Sequence, residues 1–336
     1  VHDVSDRPRR PKATTTDAVI ARAVLVAALL GLAGCGTLAV WFAPDKPASV
    51  ERRPQAARAD ELFWRVLHTG AYDRIPEALT ALKAAYVADP GDAVTAAHIG
   101  WLHIWRLSER ARLPNGGGPD ITDDAPLARK YFEEAVRLAP GEARYLGFYA
   151  AAMMAEGSIH QDQRLLRRGF FTLKDAIAAW PEFNAFTAGY IAGLQPHDSP
   201  RFQDGLVLLW ENMDACVGER ADRAHPDYAR YMRLETREGP KRVCWNSWIA
   251  PHNFEAFFLH FGDMLVKAGD PERAVTMYQN ARLSADFATW PYRDALERRI
   301  TEAGANVDVF RRADPPASGP TMMVRSPYAC VGCHQQ

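Results

Sequence analysis

The sequence has no excess of either charge. Its 40 Lys+Arg face 41 Asp+Glu over 336 residues, a formal net charge of −1. That balance removes the chain-wide electrostatic case for nucleic-acid binding. Cysteine is scarce, five residues in all, too few for a disulfide-dense scaffold. No glycine-rich phosphate loop follows a strand, no His-Glu-x-x-His occurs, and the Cys-x-x-Cys at 330–333 has no second copy. Acidic neighbours such as Glu133–Glu134 and Asp123–Asp124 are adjacent in sequence and so do not share a helix face. They read as solvated positions or helix starts. Convincing strand alternation is missing too. What is present, 48% hydrophobic and 24% charged, is the composition of a folded chain. It is neither disordered nor a multi-span membrane protein, and its length allows two domains or one long repeat array.

Residues 1–22 are polar and basic, and residues 23–43 hold no charge at all. As a helix, at about 1.5 Å per residue, that run spans about 31 Å, roughly one bilayer core. A basic flank before an apolar run places the basic end in the cytoplasm and the rest outside. Within the run, Leu32-Ala33-Gly34-Cys35 resembles the lipobox of bacterial lipoproteins. The resemblance implies a diacylglyceryl group on Cys35 and cleavage before it. Residues 36–42 stay apolar, unlike most lipoproteins, so an uncleaved single-span anchor is the rival reading. Both place residues 44–336 in the bacterial envelope, facing the periplasm or exterior.

Residues 44–57, with three prolines and several charges, read as a linker. Beyond them the apolar spacing is helical, and the expected fold class is all-α. Three corners look alike: Ala88-Asp89-Pro90-Gly91-Asp92, Leu138-Ala139-Pro140-Gly141-Glu142 and Ala179-Trp180-Pro181-Glu182-Phe183. Before each proline, a small, a large and a small residue share one helix face: Ala78, Leu82 and Ala85; Ala128, Phe132 and Ala135; Gly169, Leu173 and Ala176. Ala274, Tyr278 and Ala281 repeat the pattern after Gly269-Asp270-Pro271. With the glycine steps at Gly100, Gly147 and Gly262, residues 58–304 resemble the tetratricopeptide (TPR) repeat. The match is uneven. The prolines are separated by 50 and 41 residues, residues 113–119 read as an inserted loop, and residues 217–250 fit no repeat. Residues 255–288 make the best unit, followed by a capping helix at 291–303. The resemblance implies a TPR-like helical-hairpin solenoid whose concave surface holds a protein partner.

Residues 305–336 read as an irregular, extended tail ending in Cys330-Val331-Gly332-Cys333-His334-Gln335-Gln336. This ending resembles the Cys-x-x-Cys-His attachment sequence of c-type cytochromes. The resemblance implies covalent haem c, held by thioethers from Cys330 and Cys333, with His334 as an axial ligand of the iron. A Cys330–Cys333 disulfide and a zinc site are the competing readings, the latter short of a fourth ligand. The tail is too short to enclose a haem alone, so the ring must rest on the helical body, on another subunit, or stay partly exposed. The candidates for a sixth ligand are Met322, Met323, His252, His260 and Met264. The last three sit in or beside an aromatic stretch, Trp245 to Phe261, that reads better as core. A five-coordinate or partner-capped iron is the other option. Cys216 and Cys244 remain, either as a disulfide across the region least like a repeat or as two buried thiols.

The expected function is therefore that of a membrane-anchored TPR-like monohaem cytochrome, an electron carrier or the haem-bearing subunit of an envelope redox complex ahead of a haem enzyme, which stays open as a third reading. The alternative is a haem-free lipoprotein scaffold that binds envelope proteins through its concave face.

Overall fold

The computed structural model describes residues 39–312, 320–324 and 330–336, with Cys330 described by its backbone alone. The chain divides into two units, Val1–Pro47 and Ala48–Gln336. In the first, residues 39–41 form a helical turn and Trp41 and Phe42 are exposed. Cys35 and most of the apolar run lie outside the described residues. No helix among the described residues is long and apolar enough to cross a membrane.

The second unit is all-helical, with no strand among the described residues. Helices α1 (Pro54–His68), α2 (Ile75–Ala88), α3 (Ala93–Ser108), α4 (Asp124–Leu138), α5 (Ala143–Ile159), α6 (Gln163–Ala179), α7 (Pro181–Ala192) and α8 (Pro200–Val217) each pack on the next in sequence. The three corners fall where the sequence places them, and the reason is local. Asp92 accepts from Val94 N at 3.0 Å and Thr95 N at 3.3 Å, and so caps α3. The Glu142 carboxylate accepts from Arg144 N at the start of α5, and Pro181 occupies the first turn of α7, where a missing N–H costs nothing. Pro54 plays the same part in α1, so the helical body begins inside the expected linker, four residues before residue 58.

The small–large–small triplets are buried. Leu82, Phe132 and Tyr278 are fully enclosed by the alanines on either side and the helices they face. A Cβ on Gly100 would meet the Phe132 ring at 2.9 Å, and one on Gly262 would collide with Tyr278. The glycine of one helix thus admits the large residue of the next. Gly147 differs, because its neighbour is Asn184. The Asn184 amide donates to Ala143 O and Ala176 O, tying α5, α6 and α7 together.

Residues 110–123 form three 3₁₀ turns, with Asn115 at φ 52°. Residues 217–250 are irregular, containing the single turn α9 (Tyr228–Tyr231) and two 3₁₀ turns, and a disulfide joins Cys216 to Cys244 across them. Then come α10 (Asn253–Ala268), α11 (Pro271–Gln279), continued by a 3₁₀ turn, and α12 (Arg293–Glu302). The expected extended tail starts as another helix, α13 (Asn306–Arg311). It buries Phe310, and Arg311 donates to Lys267 O and Ala268 O at the open end of α10. The chain closes with a helical turn, α14 (Cys330–His334). One core unites α1–α3, α8 and α10–α13 with Val331 and Cys333 of that turn, so the motif-bearing end packs between the first helix and α10.

Candidate functional site

The terminal turn is fastened through its backbone. His252 N donates to Cys333 O at 2.9 Å, Trp290 Nε1 to Gly332 O at 2.9 Å, and Gln336 N to His68 O at 2.7 Å. Tyr292 Oη donates to Gln335 Oε1 at 2.8 Å. Val331 and Cys333 are buried, and His334 is half-buried. Burial, assisted by the nearby Glu255 carboxylate, pushes the Cys333 thiol up to about 12. The side chain of Cys330 is outside the described residues.

His334 Nδ1 lies 2.6 Å from Ile249 O. A carbonyl only accepts, so Nδ1 carries the proton and Nε2 keeps its lone pair. Burial pulls the imidazole down to about 4, opposed by the Ile249 bond and reinforced by the neighbouring His68. His68 Nε2 donates to the same carbonyl at 3.0 Å.

Cys333 and His334 form part of the wall of a cavity of about 570 Å³. Its other walls come from α1 (Phe63, Trp64), α3 (His98, Trp101), α5 (Tyr145, Phe148), α7 (Phe183, Phe186, Tyr190) and the first turns of α10 (Phe254, Phe257, Phe258). The irregular segment adds Tyr228, Tyr231, Trp245, Trp248 and the disulfide. This irregular segment forms the cavity's remaining wall. Trp64 and Trp101 approach the His334 ring at 6.4 and 5.8 Å. Four arginines, Arg52, Arg144, Arg237 and Arg242, line the cavity against two carboxylates, Asp60 and Glu182. Arg144 and Arg242 lie over the Trp180 ring, Arg144 Nε is buried without a partner, and Arg237 is exposed. Arg52 is paired with Asp60 and Asp92, and Arg144 with Glu142, so an apolar, aromatic enclosure of this size suits a flat, largely apolar molecule whose polar groups meet Arg237 and Arg242.

The sequence candidates divide. Cys333 and His334 line the cavity; His252, His260, Met264, Met322 and Met323 do not. His252 faces Glu255, whose Oε2 is itself without a partner. Met264 is fully buried, and Met323 packs on Tyr190 with its N–H on Asp263. Met322 sits beside Gly193. His260 lies one ring behind the wall, 3.9 Å from the cavity residue Tyr190. Of the aromatic stretch, Phe254, Phe257 and Phe258 reach the cavity, whereas His260 and Met264 lie further along α10. Sequence reasoning missed His98 and Asp60. They are separated by 38 residues, and only the packing of α1 on α3 brings them together.

Both His260 ring nitrogens are buried without partners, and burial pulls its pKa down to about 3. The folded state therefore binds that proton less readily than the unfolded state. Its contribution to stability is full above about pH 6.5 and declines as the pH falls, by about 1.4 kcal/mol per unit, until the folded group itself protonates. Urea titrations at neutral and mildly acid pH should show a shallower acid loss for His260→Met than for the wild type. Parallel losses would contradict this.

No family model, curated protein or solved structure matches the chain. Among the described residues, no three His, Cys, Asp or Glu side chains are grouped to hold a metal ion.

Proposed function

We propose that the chain is a membrane-anchored, extracytoplasmic, TPR-like monohaem c-type cytochrome, serving as an electron carrier or the haem-bearing subunit of an envelope redox complex. The observation that carries this reading is the docking of the Cys-x-x-Cys-His turn into the wall of a cofactor-sized aromatic cavity. The residues present fit haem. Cys330 and Cys333 would hold the ring, and His334 Nε2, left free by the Ile249 bond, would take the iron. Arg237 and Arg242 would meet the propionates, and Arg144, ion-paired with Glu142 through Nη2, has its Nε left to donate. Bound haem supplies a one-electron ferric/ferrous couple. Around a bound ring the aromatic walls would displace water and lower the local dielectric, and Trp248, 66% exposed beside the cavity, gives a partner an edge to approach.

The buried triplets and glycine steps support the TPR-like reading of residues 58–304, with α3, α5 and α7 as the inner helices of successive pairs. The uncharged run before residue 44 and Cys35 supply the anchor, by lipid or by span, and the partner is a protein of the envelope.

The test is a haem stain after denaturing electrophoresis, with intact mass, on the full chain expressed beside the c-type maturation machinery. Haem that survives denaturation and disappears in Cys330→Ala/Cys333→Ala is the expected result. Colourless protein from a host that matures a control cytochrome would leave the haem-free scaffold instead.

A further inference from the structure

His98 is built like His334. Its Nδ1 lies 2.8 Å from Asp60 Oδ1, and the carboxylate only accepts, so the ring proton sits on Nδ1 and Nε2 keeps its lone pair. No described residue makes a hydrogen bond to Nε2, and the ring forms part of the cavity wall. The ring is stacked on Phe63, centroids 4.1 Å apart at 10°, and meets the edge of Trp64 at 5.3 Å. Asp60 is held in turn by Arg52, which also reaches Asp92 at 2.9 Å and Thr95 at 3.3 Å. This is an elaborate support for one imidazole, and no other contact of His98 makes use of it. Metal-ligating histidines characteristically have one nitrogen pinned to a carboxylate or carbonyl while the other is free. Two such rings, His98 and His334, line the same cavity, and the Trp64 ring lies 5.3 Å from the one and 6.4 Å from the other.

We infer that His98 supplies the second axial nitrogen to the iron carried at His334, with Asp60 as the residue that positions it. The inference rests on the cytochrome reading and deepens it. With both axial positions filled by imidazole the iron is closed to small ligands, which favours electron transfer over peroxidase or gas-binding chemistry. The Asp60 carboxylate, hydrogen-bonded to Nδ1, would place negative charge behind His98 and so favour the ferric state.

The experiment uses the full chain after covalent haem has been verified by mass in each variant. Wild-type protein should give the ferric electron-paramagnetic-resonance signal of a low-spin, bis-imidazole iron, show no near-infrared band of sulfur ligation, and fail to bind carbon monoxide when reduced. His98→Ala should lose the low-spin signal, gain carbon monoxide binding, and regain the low-spin spectrum with added imidazole. Asp60→Asn should stay low-spin with its midpoint potential shifted upward. If His98→Ala does not accumulate, His98→Met should acquire the sulfur-ligation band. A haem-bearing His98→Ala with the wild-type spectrum, or a high-spin or sulfur-ligated wild type, overturns this inference alone. Wild-type protein without covalent haem overturns the cytochrome reading and this inference with it.

Discussion

Replacing Arg299 with alanine is expected to cost about 3–5 kcal/mol of stability, the range for breaking a buried ion pair by removing one partner. Asp263 is fully enclosed, and its carboxylate accepts from Tyr278 Oη at 2.6 Å, Arg299 Nε at 3.0 Å and Met323 N at 3.1 Å. Burial pushes the Asp263 pKa up, and Arg299, Tyr278 and Met323 N oppose the shift. Without the guanidinium, a charged carboxylate is left in the core with only neutral donors. The deficit should shrink on acidification, because protonating the orphaned carboxyl removes the buried charge. Denaturant titrations should therefore show a smaller gap between Arg299→Ala and wild type at about pH 5 than at about pH 8. Asp263→Asn/Arg299→Met should recover much of the loss. A deficit under about 1 kcal/mol would show that water reaches the site. The consequence extends to the candidate cofactor site. Arg299 also donates to Thr321 O at 2.7 Å, and Met323 N is on Asp263, so this cluster fixes residues 320–324 on the approach to the terminal turn. Protease sensitivity near that segment should rise in the variant.

The sequence was most legible where the chemistry is local. Pro90, Pro140 and Pro181 announce their corners because proline and the neighbouring Asp and Glu act within a few residues of themselves. The triplet Ala274–Tyr278–Ala281 announces a close helix contact because a small–large–small face has few other uses, and Gly262 completes it from the partner helix. The terminal Cys-x-x-Cys-His is a pattern of five consecutive residues, and its Cys333 and His334 line the cavity. The cavity was not legible. Its walls come from α1, α3, α5, α7, α10 and the irregular segment, and nothing in the spacing of Phe63, Phe148 or Phe183 says that they leave a void rather than fill one. The aromatic stretch around α10 drew attention to the right helix but to His260 and Met264, beyond the cavity. His98 has no local signature, since its support comes from Asp60 and Arg52 on a different segment. The tail reading missed α13 because its helix is stabilised by packing Phe310 and capping α10, neither of which a six-residue window contains.

Removing the Cys216–Cys244 disulfide should cost about 3–4 kcal/mol, the loop-closure entropy released to the unfolded chain by a bridge of this span, which joins residues 28 apart. The native side of the balance explains why this bridge matters more than its place in an irregular segment suggests. Between the two cysteines the chain has only one short α-helix and two 3₁₀ turns to order it. Its other anchors include the Asp214–Arg223 and Glu219–Arg230 ion pairs, hydrogen bonds from Trp180 Nε1 to Pro240 O and from Asn253 Nδ2 to Val243 O, and the buried rings of Tyr228 and Tyr231. The ion pairs are partly exposed and therefore weak. Both cysteines line the cavity, so a loosened bridge opens the wall carrying Trp245 and Trp248. Cys216→Ser/Cys244→Ser should therefore unfold at lower denaturant than wild type, and reductant should move the wild-type midpoint toward the variant's while leaving the variant unchanged. Hydrogen exchange should rise in residues 217–250 before it rises in α4–α6, which contribute little to that wall. A variant that loses less than about 1 kcal/mol would show that Tyr228, Tyr231 and Trp245 hold the segment by packing alone. The bridge would then be a consequence of the fold rather than a support of it.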